Sequence, residues 1–291
     1  MTEQTPTTEL VQWVALSLVP ALGGKTIQRL LDHFETLDAV FAASEKDLRA
    51  VPRIGPKLAA AIRALDLDRT RADIARWQAD GITILGPDAL PSPLRTVDDA
   101  PPVLFCRGLD PLPDGRAAAI VGTRSPTPAS SELAAALGEA LVSHGWTVVS
   151  GLAAGIDTAA HQGALRGGGH TLAVLGSGVN VIYPPENTAL ASAITRQGAL
   201  VAEVHPDTDP TSAALVARNR LISGLSTVVL VIETGTTGGS LHTVRFAHAQ
   251  KRTVFACDNA APGNRQLRTS GAGIIPICID KMDAFVNELL K

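Results

Sequence analysis

The sequence predicts an α/β protein in which a small all-helical unit precedes a mostly parallel, doubly wound sheet. Three observations carry that prediction. From Arg116 onward, strand-length apolar runs alternate with helical stretches, the pattern of a parallel sheet covered on both faces. Four glycine-bearing turns each follow an apolar run and precede a helix-like segment: Val121 to Arg124, Ser150 to Gly155, Leu175 to Gly178 and Thr237 to Ser240. Residues 10–80, by contrast, read as helical throughout. At 291 residues with 45% hydrophobic content, the chain suits about two domains, each with a core of its own. The expected division is 1–80 and 81–291, with 81–115 as a bridge onto the sheet.

The helical part contains an internal repeat. Val19-Pro20-Ala21-Leu22-Gly23-Gly24-Lys25-Thr26 aligns with Val51-Pro52-Arg53-Ile54-Gly55-Pro56-Lys57-Leu58. In both copies a glycine-bearing hairpin sits between two helices, the second amphipathic (Ile27, Leu30, Leu31; then Leu58, Ile62, Leu65). Such a tandem helix-hairpin-helix either grips a DNA phosphate through hairpin N–H groups or serves as a helical packing unit. Gly23-Gly24-Lys25-Thr26 imitates the end of a nucleotide-triphosphate loop, but Val19 occupies its first glycine position and no strand precedes it. The bridge holds two short strands, Ile82 to Leu85 and Val103 to Arg107, around a proline-rich stretch. Seven further strands are expected at Ala118–Val121, Thr147–Ser150, Thr171–Leu175, Leu200–Glu203, Val228–Ile232, Thr253–Cys257 and Ile274–Cys278.

Glycines at a strand-to-helix turn let backbone N–H groups approach an anion, and the helix dipole adds partial positive charge there. In an open parallel sheet, ligands bind beyond the carboxyl ends of the strands, which is where all four turns lie. Charge points the same way. The chain has a net charge of −3, yet residues 210–275 hold seven basic side chains (Arg218, Arg220, Arg245, Lys251, Arg252, Arg265, Arg268) against Glu233 and Asp258. A local excess of this kind suits a phosphate backbone. Arg218-Asn219-Arg220 places two guanidinium forks around an amide that can order the loop, with an arginine–glutamate pairing to Glu203 or Glu233 as the structural alternative. Arg124 sits in the first glycine turn, with Pro126 and Pro128 suited to starting the next helix.

Other chemistries find little support. No Gly-x-Gly-x-x-Gly closes the first strand–helix turn, and the second strand ends in Ser150-Gly151 rather than a ribose-binding acid. There is no Gly-x-Ser-x-Gly elbow. Cys106, Cys257 and Cys278 lack metal-ligand spacing and suit reduced, buried thiols. Asp157 and His161 fall on one helical face, as an acid/base couple or as a capping Asp with a packed His. His242 and His248 read as helix-surface or packing residues. No metal ligand, cofactor site or catalytic residue is expected. The apolar runs are too short to span a membrane and Met1 to Glu9 has no export-signal pattern, so a cytoplasmic, non-membrane protein is expected.

Taken together, the Val121–Arg124 turn, Ser150-Gly151-Leu152-Ala153-Ala154-Gly155-Ile156-Asp157 with His161, Ala173–Gly176 with Tyr183-Pro184-Pro185-Glu186-Asn187, Arg218 to Ser226 and Gly239-Ser240-Leu241 closely resemble the DNA-processing protein A (DprA/Smf) family. The match is strong over about 116–275, and the helical part fits the sterile-alpha-motif-like domain usual there, before a Rossmann-like sheet. The resemblance implies a non-enzymatic protein that binds and protects single-stranded DNA during natural transformation. It further implies help in loading the RecA recombinase, commonly as a homodimer. It implies that Arg124, Arg218 and Arg220 contact phosphates and that Gly122, Gly151 and Gly239 open the backbone pocket. The full candidate set is Gly122, Thr123, Arg124, Ser150, Gly151, Arg218, Asn219, Arg220, Gly239, Ser240 and Lys251. Three departures stand out. Cys257-Asp258-Asn259 replaces a Val-Pro-Gly, Leu90-Pro91 replaces a Tyr-Pro, and no terminal winged-helix domain is expected.

The competing reading is a nucleotide phosphoribohydrolase or a sensor of nucleotide derivatives on the same sheet. Those proteins prefer Pro-Gly-Gly-x-Gly-Thr-x-x-Glu; Thr234 to Ser240 lacks the proline and the trailing acid, and Glu233 precedes the loop instead. Aromatic residues make up only 3% of the chain, so a DNA grip should be mainly phosphate-based and sequence-independent. One sheet edge offers few phosphate contacts, and pairing two protomers would raise the effective concentration of the second. The terminal apolar stripe (Met282, Phe285, Val286, Leu289, Leu290) has helical spacing, suited to the chain's own sheet or to a partner.

Overall fold

A computed structural model describes residues 6–109 and 116–289. The N-terminal part is helical: α1 (Thr8–Ser17), α2 (Gly24–Phe34), α3 (Leu37–Ala42), α4 (Glu45–Leu48), α5 (Pro56–Arg63) and α6 (Leu67–Ala79). Side-chain caps start most of these helices. Thr7, Thr36 and Asp66 each accept a bond from a first-turn N–H, and Ser44 with Asp47 forms a reciprocal capping box. The sequence repeat is also a repeat of backbone. Ala21 and Arg53, at matching positions, both take positive φ (68° and 71°), and Leu22 and Ile54 each donate to the valine three residues earlier. Leu16, Leu22, Ile27, Leu30, Leu48 and Ile62 form the core between the two copies.

The faces of α1 and α6 turned from that core bury Val11, Val14, Ile74 and Trp77 against the sheet. Trp77 meets Phe105 edge-on, ring centroids 5.4 Å apart. The helical unit is thereby joined to the sheet by apolar packing.

The sheet has nine strands: β1 (Ile82–Leu85), β2 (Leu104–Gly108), β3 (Ala117–Val121), β4 (Thr147–Ser150), β5 (Thr171–Val174), β6 (Ala199–Ala202), β7 (Val228–Val231), β8 (Thr253–Cys257) and β9 (Gly273–Ile275). Their order is β1-β2-β6-β5-β4-β3-β7-β8-β9. The strands from β6 through β9 run parallel, and β1 and β2 add antiparallel at the β6 edge. The bridge is thus part of the sheet. The expected last strand, Ile274–Cys278, instead ends at Ile275 because Pro276 has no N–H to donate. The chain winds outward from β3 one way to β6 and from β7 the other way to β9, so a crevice opens between β3 and β7 at their carboxyl ends.

Both faces are covered, as continuous apolar strands require. On one side lie α7 (Ser92–Arg95), α12 (Asn219–Gly224), α13 (Gly239–Ala249) and α14 (Pro262–Thr269), where Leu94, Leu221, Ile222, Val244 and Leu267 are buried. On the other lie α8 (Pro128–Ser143), α9 (Ile156–Arg166) and α15 (Met282–Leu289). α10 (Thr188–Gln197) covers β5 and β6, and α11 (Ser212–Ala217) leads into α12. In α15, Met282, Phe285 and Val286 bury into the core beneath α8, and Phe285 meets Phe255 edge-on at 5.6 Å. The stripe is spent on the chain's own sheet; Leu290 lies outside the described residues.

α8 and α9 touch backbone to backbone. A Cβ at Gly163 would stand 1.9 Å from the Ala135 carbonyl oxygen and 2.8 Å from Ala135 Cα. Gly163→Ala is therefore expected to lower the unfolding free energy by about 1–3 kcal/mol, read by urea denaturation. An unchanged midpoint would show that the two helices separate freely.

Candidate nucleic-acid interface

The loops after β3, β4 and β7, with the α11–α12 junction, surround a cavity of about 500 Å³ at the crevice. Arg218, at that junction, sends its guanidinium inward and is buried. Nη1 donates to the carbonyl oxygens of Gly151 (2.6 Å) and Val174, and Nε to Leu215 (3.3 Å). Asp157 in the first turn of α9 is also buried, and its Oδ2 accepts from the N–H groups of Gly151 (3.0 Å) and Ala153 (3.4 Å). Burial pulls the Arg218 pKa down to about 10, with Asp157 opposing and Arg124 adding to the fall. Burial likewise pushes the Asp157 carboxyl above its ordinary range, against the pull of Arg218.

Gly151 follows from this arrangement. A Cβ there would stand 2.2 Å from the Arg218 guanidinium, so the missing side chain admits the chain's own arginine. Gly122 is likewise filled from within, since a Cβ would meet Ile156 Cγ1 at 2.6 Å and the Glu233 carbonyl oxygen at 2.9 Å. The space beside these two glycines is thus taken by the chain's own side chains and backbone, while Gly122 still lines this cavity and Gly151 the neighbouring one. Gly239 alone of the three faces open space. Ser150 is also internal: it is fully buried and its Oγ donates to the Ile120 carbonyl oxygen at 2.6 Å.

The rest of the candidate set divides in space. Thr123, Arg124, Asn219, Gly239 and Ser240 line the same cavity as Arg218. The first turn of α13 opens onto it, and its N-cap, Gly238, supplies no side-chain bond, so the uncapped helix end presents N–H groups to an anion. Asn219 Nδ2 donates to the Gly239 carbonyl oxygen at 3.3 Å and holds the two helix starts together. Ser240 and Thr234 share a hydroxyl bond at 2.7 Å. Arg124 is exposed on the rim, and no hydrogen bond or ion pair among the described residues engages its side chain.

Arg220 and Lys251 are not at the cavity, contrary to expectation. Arg220 pairs with the Glu203 carboxylate and donates to the Asp99 carbonyl oxygen at 2.7 Å. Two residues apart at a helix start, Arg218 and Arg220 point to opposite sides. Lys251 follows α13 at the amino end of β8, the opposite edge of the sheet. Glu233 is occupied as well: its Oε2 accepts from the Thr127 N–H and hydroxyl, both at 3.0 Å, capping α8. Burial raises its pKa, but bonds from Ser130 and Thr127 outweigh that and leave it lowered.

Two contributors carry no site role in the sequence, where Tyr183 figures only as part of a motif. Asn264 is fully buried; its Oδ1 accepts from the Thr234 N–H (2.8 Å) and its Nδ2 donates to the Ile232 (2.9 Å) and Cys257 (3.2 Å) carbonyl oxygens, bracing the loop after β7. In a polar helix of arginines it carried no signal. Tyr183, half-exposed, also lines the cavity. Of the two helical hairpins, the first abuts the bridge at Gly24, where a Cβ would stand 2.4 Å from the Ala100 carbonyl oxygen, while the matching hairpin glycines Gly23 and Gly55 both face open space.

Among known families, the model of the DNA recombination-mediator protein A family matches residues 81–287. The chain belongs to that family. A SAM-like helix-hairpin-helix tandem matches residues 15–64. Protein Smf of Synechocystis sp. is 35% identical over 92% of this chain and 70% of its own length. The chain spans 63% of the Bacillus subtilis DNA processing protein DprA and 45% of Escherichia coli protein Smf. The DNA processing protein A structure from Streptococcus pneumoniae superposes with a TM-score of 0.78 at 28% identity, over 94% of this chain and 95% of that one. The Helicobacter pylori protein, described for its single-stranded DNA binding mode, gives 0.64 at 29% identity, over 72% and 95%. The helical unit and nine-stranded sheet are thus the architecture of DNA recombination-mediator protein A relatives.

Beneath the site, His161 is fully buried. Thr171 Oγ1 donates its one proton to the Val148 carbonyl oxygen (2.9 Å), so it accepts from His161 Nδ1 at 2.7 Å, and Nε2 is left bare. Burial, then Arg218, pulls the His161 pKa from 6.5 to about 3. A depressed folded-state pKa contributes stability that is complete above pH 6.5 and lost as the pH falls towards 3, at roughly 1.4 kcal/mol per unit. In urea titrations between pH 6.5 and 5, His161→Gln should lose roughly 2 kcal/mol less stability than the parent. Parallel losses in the two proteins would exclude His161 as the source.

Proposed function

We propose that this protein binds single-stranded DNA through the crevice between β3 and β7. The observation that carries the reading is an exposed Arg124, without a hydrogen bond or ion pair among the described residues, on the rim of a cavity that also receives the Arg218 guanidinium and the N-terminus of α13. Three sources of positive potential converge where a phosphate fits, and the like charges of Arg124 and Arg218 repel until an anion arrives. A cavity of about 500 Å³ is of a size for a nucleotide, not for the side of a duplex. The single-stranded DNA binding described for the Helicobacter pylori relative supports the same choice. In this reading the protein protects incoming single strands and assists a RecA-type recombinase; the family's description as a DNA recombination mediator supports the recombination part of it. It acts without turnover and as a homodimer that joins two such edges.

The nucleotide-hydrolase alternative is disfavoured by one contact: the acid nearest the loop, Glu233, is committed to the start of α8. Arg124→Ala should weaken binding to an oligothymidylate roughly tenfold or more and flatten the slope of log affinity against log salt by about 0.7. Lys251→Ala should leave both unchanged. Fluorescence anisotropy at several salt concentrations reads both, and light scattering reads the dimer. Equal loss from Lys251→Ala would move the site off the carboxyl edge.

A further inference from the structure

The two copies of the helical repeat share a backbone but not a surface. In the first, Gly24 packs against the bridge, and Ser17, half-buried, turns its Oγ back to the Val14 carbonyl oxygen at 2.7 Å. The positions matching Ser17, Ala21 and Gly24 in the second copy are Arg49, Arg53 and Pro56. Arg49, Arg53 and Lys57 are exposed, and among the described residues no hydrogen bond or ion pair engages their side chains. Arg63 is committed, donating from Nη1 to the Phe41 carbonyl oxygen at 2.8 Å. Between Asp47 and Asp66 the chain holds these cations and no acid, whereas the first copy sets Asp32 and Glu35 among its basic residues. Asp47 itself is engaged by Ser44 in the capping box of α4.

Arg49, Arg53 and Lys57 stand on a fixed frame. Val51 and Ile54 are buried in the core of the helical unit, and their N–H groups donate to the carbonyl oxygens of Leu48 and Val51, both at 3.1 Å. Arg53 holds a φ of 71°, which glycine would adopt at less cost, so the turn itself does not call for an arginine. α5 then starts on Gly55 with no side-chain cap, which adds partial positive charge beside Lys57. No aromatic residue occurs between Phe41 and Trp77. The patch therefore offers charge and backbone without a stacking platform.

We infer that the second hairpin is a surface for duplex DNA, with Arg49, Arg53 and Lys57 on the phosphates of its backbone. Fixed cations without a ring gain most from a stiff polyanion, and a duplex carries one charge per about 1.7 Å of its axis. A single strand is held best where its bases can also stack. Contacts to phosphates alone leave the grip indifferent to sequence. The hairpin belongs to the helical unit and the crevice to the carboxyl edge of the sheet, so one chain can hold a duplex and a single strand together. The duplex surface stands on its own observations and does not require the crevice reading.

The test uses the full chain, a blunt duplex and an oligothymidylate, read by fluorescence anisotropy at several salt concentrations. The first copy supplies the substitutions: Arg49→Ser and Arg53→Ala install what the same backbone already carries at Ser17 and Ala21, so the fold is kept. The double variant should weaken the duplex about 5- to 50-fold and flatten its salt slope by about 1.8, the share of two phosphates. Its affinity for the oligothymidylate should match the parent's. Lys25→Gln, on the first hairpin, should change neither. An oligothymidylate at the concentration that fills the crevice should not displace the duplex. A parent without salt-dependent affinity for the duplex, or a double variant that binds it as the parent does, would overturn the inference. Equal loss from Lys25→Gln, or displacement of the duplex by the oligothymidylate, would overturn it as well, since the duplex would then lie elsewhere. A parent that binds the duplex but not the oligothymidylate would remove the crevice reading and leave this one.

Discussion

Arg218 carries a guanidinium into the interior at the carboxyl edge of the sheet, and much of the local construction answers to that charge. A buried, unpaired cation costs several kcal/mol. Here the charge meets carbonyl oxygens from the β4 loop, the end of β5 and α11, with the buried carboxyl of Asp157 nearby. Asp157 in turn accepts the N–H groups of the same β4 loop. Gly151 leaves the volume the guanidinium fills. His161, one turn along α9, stays neutral beneath it and ties β4 to β5 through Thr171. Residues spread from Ser150 to Arg218 are thus one polar assembly inside an apolar sheet, with nearly every donor and acceptor matched.

That assembly divides the work of the two cavity arginines. Arg218 is spent on carbonyl oxygens of the fold and contributes a fixed positive background. Among the described residues Arg124 has no such commitments and is left exposed on the rim. The loop after β7 is braced separately, by Asn264 from below and by the Thr234–Ser240 pair across it, so that the N-terminus of α13 is presented in one position. Rigid donors aimed at one place lose little freedom when an anion arrives.

The helical unit is held by different physics. Its two hairpins share a core of their own, and its outward faces bury Trp77, Val11 and Ile74 on the β1–β2 edge of the sheet. Those two antiparallel strands cover what would be an open edge beside β6.

Much of the fold was legible because it depends on periodicity. Continuous apolar runs such as Val228–Val231 can only be strands buried on both faces, and Gly-bearing turns after them mark the carboxyl edge of a parallel sheet. The hairpin repeat was equally visible, since equal spacing of Val, Gly and Lys imposes equal backbone. The sequence also brought Arg124, Arg218 and the start of α13 to one edge. It did not reveal which way each group faces. Whether a glycine makes room for a ligand or for the chain's own Arg218 depends on a side chain 67 positions away. Arg218 and Arg220 look alike as letters, yet helical geometry turns one into the cavity and the other onto Glu203. Lys251 belongs to the same basic segment but stands at the far end of α13, a helix length from the site. Local pattern sets the elements because backbone periodicity is local; the partner of each polar group is a tertiary matter, because burial and charge are decided by whatever the rest of the chain brings alongside.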